Sequence, residues 1–349
     1  MFGRRRRGTV VDERTLPEQV DELESAGRVL EALSLLEAEN AAHPDEAHEL
    51  RLASLRHAAF AELDKSGGFP TWPVDHRDGG ATAGAVEIPR CPVSELTGER
   101  LRTAILEHGS LMVPGLASPA DVDRLTAGIE RAFDVRAAVA AGDITDPTAW
   151  FHQLPLDKAS ARTLGRKWVQ GGSALLTCDS PHMLAELFAF FGRSGLKPIL
   201  TDYLGERPVL SANKCTLRRV PTDTNTDWHQ DGAFLGDGIR AANVWVALSD
   251  CGVDAPGLDL VPKRFDHVLE TGTGGAFFDW AVGPEVVAVA AREAPVVRPQ
   301  FRAGDALIFD ELFLHRTAVD AAMTRSRYAI ESWFFAPSTY PEGQVPIVW

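Results

Sequence analysis

The sequence predicts an α+β protein with a double-stranded β-helix (jelly-roll, cupin-like) core, flanking helices and a helical N-terminal extension. Two observations predict this class. Up to about residue 205, apolar residues recur at helical spacing in segments rich in Ala, Leu and Glu, and beyond it short apolar runs alternate with Gly and Pro turns. Helices followed by many short strands favour a sandwich or barrel over a doubly wound sheet.

The N-terminal extension is predicted to be helical over residues 15–66. Pro17 suits the first turn of a helix that Gly27 ends, the second helix ends near Pro44, and a third spans about 45–63. The second helix resembles one helix of a tetratricopeptide repeat, and a single repeat cannot bury its own apolar face. We therefore expect the extension to pack on the main domain, on a twin subunit in a homodimer, or on a separate partner.

The remaining boundaries follow from composition. Residues 1–14 include four consecutive arginines and are expected to form a disordered basic tail. Residues 67–88 are rich in Gly, Pro and Asp, as a linker is. Residues 89–349 then form the main domain, in which Ser118-Pro119 and Ser180-Pro181 predict helix starts.

The second half of the main domain is predicted to be rich in strands. The predicted strands lie between turns at 236–238, 255–257 and 303–305. They cover 209–211, 243–248, 258–261, 296–298, 306–309 and 327–335.

Charge, hydropathy and cysteine usage exclude several classes of function. The net charge of −14 argues against nucleic acid as a partner, because phosphate binding needs clustered Lys and Arg. No stretch approaches the ~20 apolar residues of a membrane span. The four cysteines form no CxxC pair, which favours a reducing, cytoplasmic location over a disulfide framework or a zinc site.

The strongest chemical signal is the segment 228–232, Trp-His-Gln-Asp-Gly. In a strand, alternate residues share a face, so His229 and Asp231 are expected to point the same way. His315 closes an apolar strand that begins at Ala306. Two imidazoles and a carboxylate form the facial triad of non-haem iron(II) oxygenases, which leaves coordination positions open. Arg327 opens the next strand, and its planar fork suits the far carboxylate of a dicarboxylate.

In this order and at these spacings, the motifs resemble the phytanoyl-CoA dioxygenase family over about residues 96–337. The matching segments are 101–109, 228–232, 243–249, 257–262, 303–309, His315 and 327–330. The resemblance implies that residues 89–349 form an Fe(II)- and 2-oxoglutarate-dependent dioxygenase domain that uses dioxygen (O2). It implies His229, Asp231 and His315 as catalytic iron ligands and Arg327 as the residue that grips the 2-oxoglutarate C5 carboxylate. It also places Thr216, Arg218 and Asn243 near the cosubstrate.

The resemblance implies hydroxylation of an unactivated C–H bond, with desaturation or ring formation also open. Asp231 disfavours halogenation, because related halogenases have Ala or Gly at that position. Arg325 competes with Arg327 as the cosubstrate anchor. The substrate is expected to be a small-molecule or carrier-tethered metabolite, with Trp168 and Gln170 as candidate pocket residues.

Two other functions compete with this interpretation. The first is a cupin-type metalloenzyme that does not use 2-oxoglutarate and so has no need of Arg327. The second is a non-catalytic binding protein that works through its N-terminal helices. A converging triad argues against the second, because a scaffold does not require three metal ligands.

Overall fold

The computed structural model describes residues 14–67, 87–224 and 226–349. The predicted basic tail therefore lies outside the described residues except for Arg14. Of the predicted linker, only Gly67, Glu87 and Ile88 are described.

Eleven α-helices and nine strands are formed by the described residues. The helices are α1 (Leu16–Ser25), α2 (Val29–Ala42), α3 (Glu46–Ala58), α4 (Gly98–His108), α5 (Pro119–Ala141), α6 (Lys158–Thr163), α7 (Arg166–Gly171), α8 (Pro181–Arg193), α9 (Leu196–Leu204), α10 (Gly232–Leu235) and α11 (Pro284–Ala290). The strands are β1 (Ser110–Val113), β2 (Ala174–Leu176), β3 (Val209–Val220), β4 (Ala241–Ala247), β5 (Gly257–Arg264), β6 (Ala306–Phe309), β7 (Phe313–Ala318), β8 (Arg327–Phe335) and β9 (Pro346–Val348).

The strands form two antiparallel sheets. The larger has the order β1-β6-β4-β8-β3-β2, with β9 paired to β3, and the smaller consists of β5 and β7. Single bridges extend the smaller sheet, from His315 to His229 and from Leu260 to Val297. Neighbouring strands are distant in sequence, as in a double-stranded β-helix. The predicted α+β jelly roll is confirmed.

Strand β8 shows how the larger sheet separates two cores. Ile330 and Phe334 face the helices α4, α5, α8 and α9, in a core that includes Phe191. The alternate residues Ala329 and Trp333 face the space between the sheets. Because side chains alternate along a strand, Arg327 and Glu331 belong to this inner face as well.

Apart from the His-x-Asp segment, two strand predictions are wrong. Residues 296–298 make only one bridge, through Val297, and do not form a strand. Residues 306–315 form two strands in different sheets rather than one. The chain turns at Asp310, whose carboxylate accepts from the Leu312 amide (3.1 Å) and from Arg264 Nε (2.6 Å). This turn carries His315 from the larger sheet to the smaller one.

The N-terminal helices pack on their own chain. Val348 of β9 is fully buried in the core of the three helices, which includes Leu33 and Leu55. Arg56 Nη1 donates to the Val348 carbonyl (2.8 Å), and its guanidinium pairs with Glu37 (2.6 Å). The extension therefore covers its apolar face with the last strand of the main domain. None of the described helices combines the length and apolar character that crossing a membrane requires.

Candidate metal centre

The structure brings His229, Asp231 and His315 together between the two sheets. One ligand atom from each lies within 4.8 Å of those of the other two. Asp231 is 3% exposed and His315 is 7% exposed, so water has little access to either. Reciprocal backbone hydrogen bonds join the two histidines, His229 N to His315 O (3.0 Å) and His315 N to His229 O (3.1 Å). The β-bridge between distant segments therefore sets the spacing of the two rings.

Each ring nitrogen has a defined role. His229 Nδ1 lies 2.8 Å from the Asp227 carbonyl, and His315 Nδ1 lies 3.0 Å from the Phe313 carbonyl. Because a carbonyl oxygen only accepts, both Nδ1 atoms carry the proton, and both Nε2 atoms are left as lone-pair donors. His315 Nε2 lies 3.8 Å from Asp231 Oδ2. The three side chains thus present their free donor atoms to one point.

The strand that was expected to carry the His-x-Asp motif does not form. His229 makes a single bridge, and Asp231 has helical dihedral angles (φ −63°, ψ −22°) at the N-cap of α10. The chain turns at Asp231, so the shared direction of His229 and Asp231 comes from this turn and not from strand alternation. The two ligands still converge, but for a different reason.

Lys214 of β3 is a contact that the sequence analysis missed. Its Nζ lies 2.7 Å from Asp231 Oδ1, while Asp231 Oδ2 is buried without a hydrogen-bond partner among the described residues. Burial alone would raise the pKa of Asp231, but Lys214 and the two histidines outweigh it and lower the pKa to about 2. Burial lowers the pKa of His229 to about 4. At neutral pH, Asp231 is therefore an anion and His229 a neutral ligand.

Gln230, between the two ligands, holds the surrounding backbone together. It is fully buried, and its Nε2 donates to the carbonyls of Leu312 (2.6 Å) and His267 (3.2 Å). Its Oε1 accepts from the Leu269 amide (2.7 Å). One side chain thus ties the motif to the turn before His315 and to the segment after β5.

Arg327 and Arg325 have contrasting surroundings. Arg325 has a largely exposed side chain and pairs with Asp254 (3.0 Å). Arg327 is 1% exposed, and its Nη1 donates to the carbonyls of Gly257 (2.7 Å) and Pro256 (3.2 Å). Among the described residues, its Nε has no hydrogen-bond partner and no carboxylate forms an ion pair with its guanidinium. Burial lowers the pKa of Arg327 to about 10, which leaves the guanidinium charged at neutral pH.

The other predicted cosubstrate residues line the same inner face. Asn243 of β4 is buried, and its Oδ1 has no partner among the described residues. Thr216 and Arg218 of β3 both reach Glu331, with Arg218 Nη1 3.2 Å and Thr216 Oγ1 3.4 Å from Oε2. Glu331 is a second residue that the sequence analysis missed. Its position in β8, two residues after Ala329, placed it on the inner face by strand alternation alone.

The two candidate substrate residues lie in different places. Trp168 of α7 contacts Phe278 and Trp280 edge-on, with ring centroids at 6.2 and 6.4 Å. The Trp280 ring in turn lies 5.9 Å from the His229 ring. Gln170 instead lines a small cavity with Arg166 and Asp179. The described lining of this cavity contains none of the three triad residues.

These residues fit iron and 2-oxoglutarate. Two imidazole nitrogens and one carboxylate oxygen are the ligand set of non-haem iron(II) sites with open positions. Across the same interior, the Arg327 guanidinium has donors to spare for a carboxylate. The acceptor Asp231 Oδ2 and the donor Arg327 Nε are both buried polar atoms, which are usually satisfied in proteins.

Comparison with known proteins gives a family but no close relative. The family model for phytanoyl-CoA dioxygenase (PhyH) matches residues 105–320, more than half of the chain. No curated protein matches.

The solved structures that match this chain include three distant ones. EctD from S. alaskensis with 2-oxoglutarate and 5-hydroxyectoine is 18% identical, with 69% of this chain and 77% of that chain covered and a TM-score of 0.49. The alpha ketoglutarate dependent carbocyclase SnoK from nogalamycin biosynthesis is 15% identical (72% and 87% covered, TM-score 0.46). AviO1 from Streptomyces viridochromogenes is 18% identical (70% and 98% covered, TM-score 0.43). Sequence identities this low do not indicate which substrate this protein uses.

The family match covers both the His-x-Asp motif and His315. The chain therefore belongs to the phytanoyl-CoA dioxygenase family of iron- and 2-oxoglutarate-dependent oxygenases.

Proposed function

We propose that this protein hydroxylates an unactivated C–H bond of a small-molecule or carrier-tethered metabolite, with His229, Asp231 and His315 as iron ligands and Arg327 as the anchor of 2-oxoglutarate. The observation that carries the proposal is the buried Arg327 guanidinium. A buried charge is costly unless an anion compensates it. Among the described residues no carboxylate forms an ion pair with Arg327, and Glu331 attracts it only from a longer distance, while burial remains the dominant effect. A dicarboxylate cosubstrate supplies that anion.

The roles of the side chains follow from their contacts. When bound, iron and 2-oxoglutarate supply the chemistry by which dioxygen oxidises a C–H bond. The two Nε2 atoms and Asp231 Oδ2 would hold the metal, and Lys214 fixes the other oxygen of Asp231. Arg327 would align the cosubstrate through a charge-assisted contact with its far carboxylate, for which its Nε is free among the described residues. Phe309, whose ring centroid lies 4.8 Å from that of His315, keeps water from this side of the centre.

The test is an anaerobic titration of metal-free protein with Fe(II) and then 2-oxoglutarate. A weak visible metal-to-ligand charge-transfer band should form and should be lost in Asp231→Ala. In Arg327→Met, half-maximal formation of the band should require at least about tenfold more 2-oxoglutarate, because the substitution removes a charge-assisted contact. Arg325→Met is the matched control, since its guanidinium pairs with Asp254 at the surface.

The outcomes separate this proposal from its competitor. Equal 2-oxoglutarate affinities in Arg327→Met and Arg325→Met would assign the anchor elsewhere. Iron binding without any band would favour a cupin-type enzyme that does not use 2-oxoglutarate. Circular dichroism of each variant separates loss of the fold from loss of the contact.

The expected location and assembly belong to the proposal too. All four cysteines are buried and unpaired, which supports a reducing, cytoplasmic compartment. A homodimer through the N-terminal helices would have to use faces other than the one that covers Val348. Light scattering of the full chain measures the assembly directly.

A further inference from the structure

The aromatic rim, which we define as Trp168, Phe234, Phe277, Phe278 and Trp280, lies beside the metal centre. Of the described residues, the exposed large apolar side chains are three valines and four aromatic residues, and all four aromatic residues belong to this rim. Trp168 is 68% exposed and Phe277 is 82% exposed. Exposing so much apolar ring surface to water is unfavourable, and its concentration at one place marks a binding surface.

The rings of the rim are ordered relative to one another. Phe278 and Trp280 are stacked, with centroids 5.1 Å apart and planes 9° apart. Trp168 meets both at nearly a right angle, 82° and 89°. The rim therefore has flat ring faces with an upright ring beside them.

The rim is continuous with the metal site. The edge of Trp280 contacts His229, and Phe234 lies 5.4 Å from Trp280 between ring centroids. Lys214, which holds Asp231, lies with its Nζ 4.7 Å from the Phe234 ring centroid. A molecule lying on the rim would thus lie next to residues that contact the metal ligands His229 and Asp231.

The segment that carries three of the rings is held in place by its own backbone hydrogen bonds. Within residues 271–283, Gly272 N donates to Ala281 O (2.9 Å) and Ala281 N donates to Phe278 O (3.0 Å). Val282 N donates to Trp228 O (2.8 Å), which fixes the segment next to His229. Preordered rings lose little entropy on binding, so the rim is suited to hold a ligand.

From these contacts we infer that the aromatic rim binds a planar, fused aromatic ring of the substrate and presents it to the metal centre. Flat ring faces with an upright neighbour offer both offset-stacked and edge-to-face contacts, which a flexible acyl chain cannot use fully. A cationic ligand is disfavoured, because the Lys214 ammonium already lies over Phe234. The inference rests on the proposed function, since it assigns the substrate class of the same site.

The experiment measures binding of naphthol to the metal-free protein, with decahydronaphthol as a saturated probe of similar size. Naphthol should bind more tightly than decahydronaphthol. Trp168→Leu keeps an apolar side chain but removes the ring. It should lower the affinity for naphthol by at least about fivefold and leave the affinity for decahydronaphthol unchanged. Val253→Ala, at an exposed apolar position outside the rim, is the control and should change neither.

A second measurement locates the probe. With Mn(II) bound at the triad, the paramagnetic ion should speed the relaxation of naphthol protons, and Trp168→Leu should reduce this effect. Equal affinities for the two probes, tighter binding of phenyltrimethylammonium or decanol, or relaxation unaffected by Mn(II) would each overturn the inference. The 2-oxoglutarate charge-transfer band of Trp168→Leu keeps the two hypotheses apart. If Trp168→Leu keeps the band and binds naphthol as tightly as the unaltered protein, the inference about the rim is refuted and the proposed function stands. If the unaltered protein forms no band, the proposed function itself is refuted.

Discussion

Replacing Gln230 with leucine should loosen the metal centre without touching a ligand. The substitution keeps the side chain's approximate size but removes two donated hydrogen bonds and one accepted bond. Each lost bond costs about 1 kcal/mol, more where the abandoned backbone group stays dry, so the free energy of unfolding should fall by roughly 3 kcal/mol. The abandoned groups belong to Leu312, His267 and Leu269, which flank the centre on two sides.

Urea unfolding of the metal-free protein measures this loss, and Co(II) titration measures the site. Residues that orient metal ligands typically contribute about 10- to 100-fold to metal affinity. Gln230→Leu should therefore lower the Co(II) affinity by at least about tenfold. Gln344→Leu is the matched control. Gln344 is half-buried and accepts one side-chain hydrogen bond, from Ser211 Oγ (2.8 Å), so its loss should cost about 1 kcal/mol and leave Co(II) affinity unchanged.

The reasoning would be refuted by a Gln230→Leu protein that loses no more stability than Gln344→Leu and binds Co(II) normally. That result would mean that the turn at Asp231 and the bridge between the histidines hold the ligands without the amide. Loss of stability with normal Co(II) affinity would make Gln230 a purely structural residue.

Three further predictions concern stability and the rim. Burial, and then Asp310, raise the pKa of Glu311 from 4.5 to about 8, so the folded state holds a proton that the unfolded state releases and stability falls as pH rises through this window. In the metal-free Glu311→Gln variant this pH dependence should disappear. The variant's free energy of unfolding should therefore exceed that of the unaltered protein by more at about pH 8 than at about pH 5, and the two differences should differ by at most about 4 kcal/mol. Gly283→Ala should displace the 271–283 segment, because a Cβ would overlap the carbonyls of Thr273 and Gly274, and naphthol affinity should fall while Co(II) affinity stays constant. Leu55→Ala should cost about 2–5 kcal/mol in one cooperative transition, and two separate calorimetric transitions would show that the N-terminal helices unfold independently.

Much of the architecture could be predicted because it depends on local sequence patterns such as helix caps and apolar runs. Ser118 caps α5, its hydroxyl accepting from the Asp121 amide (3.2 Å), and Pro119 begins that helix as expected. Strands β6 and β8 begin and end where the apolar runs do. Strand β3 was predicted for only three of its residues. Its polar positions, such as Lys214 and Arg218, face the interior between the sheets, where they contact the carboxylates of Asp231 and Glu331, and so break the apolar pattern.

The sequence by itself determined the kinds of metal ligand and their order along the chain, because imidazole and carboxylate chemistry depends on residue type. Tertiary structure decided how they meet. His229 and Asp231 converge through a turn, and His315 reaches them because the chain changes sheets at Asp310. Only the fold distinguishes the two arginines. Arg327 is buried and forms no ion pair with a described carboxylate, whereas Arg325 pairs with Asp254 at the surface, and a separation of two residues in sequence gives no information about burial. The contacts of Lys214, Glu331 and the aromatic rim join segments far apart in the chain, and such contacts depend on strand pairing and loop packing that local patterns do not specify.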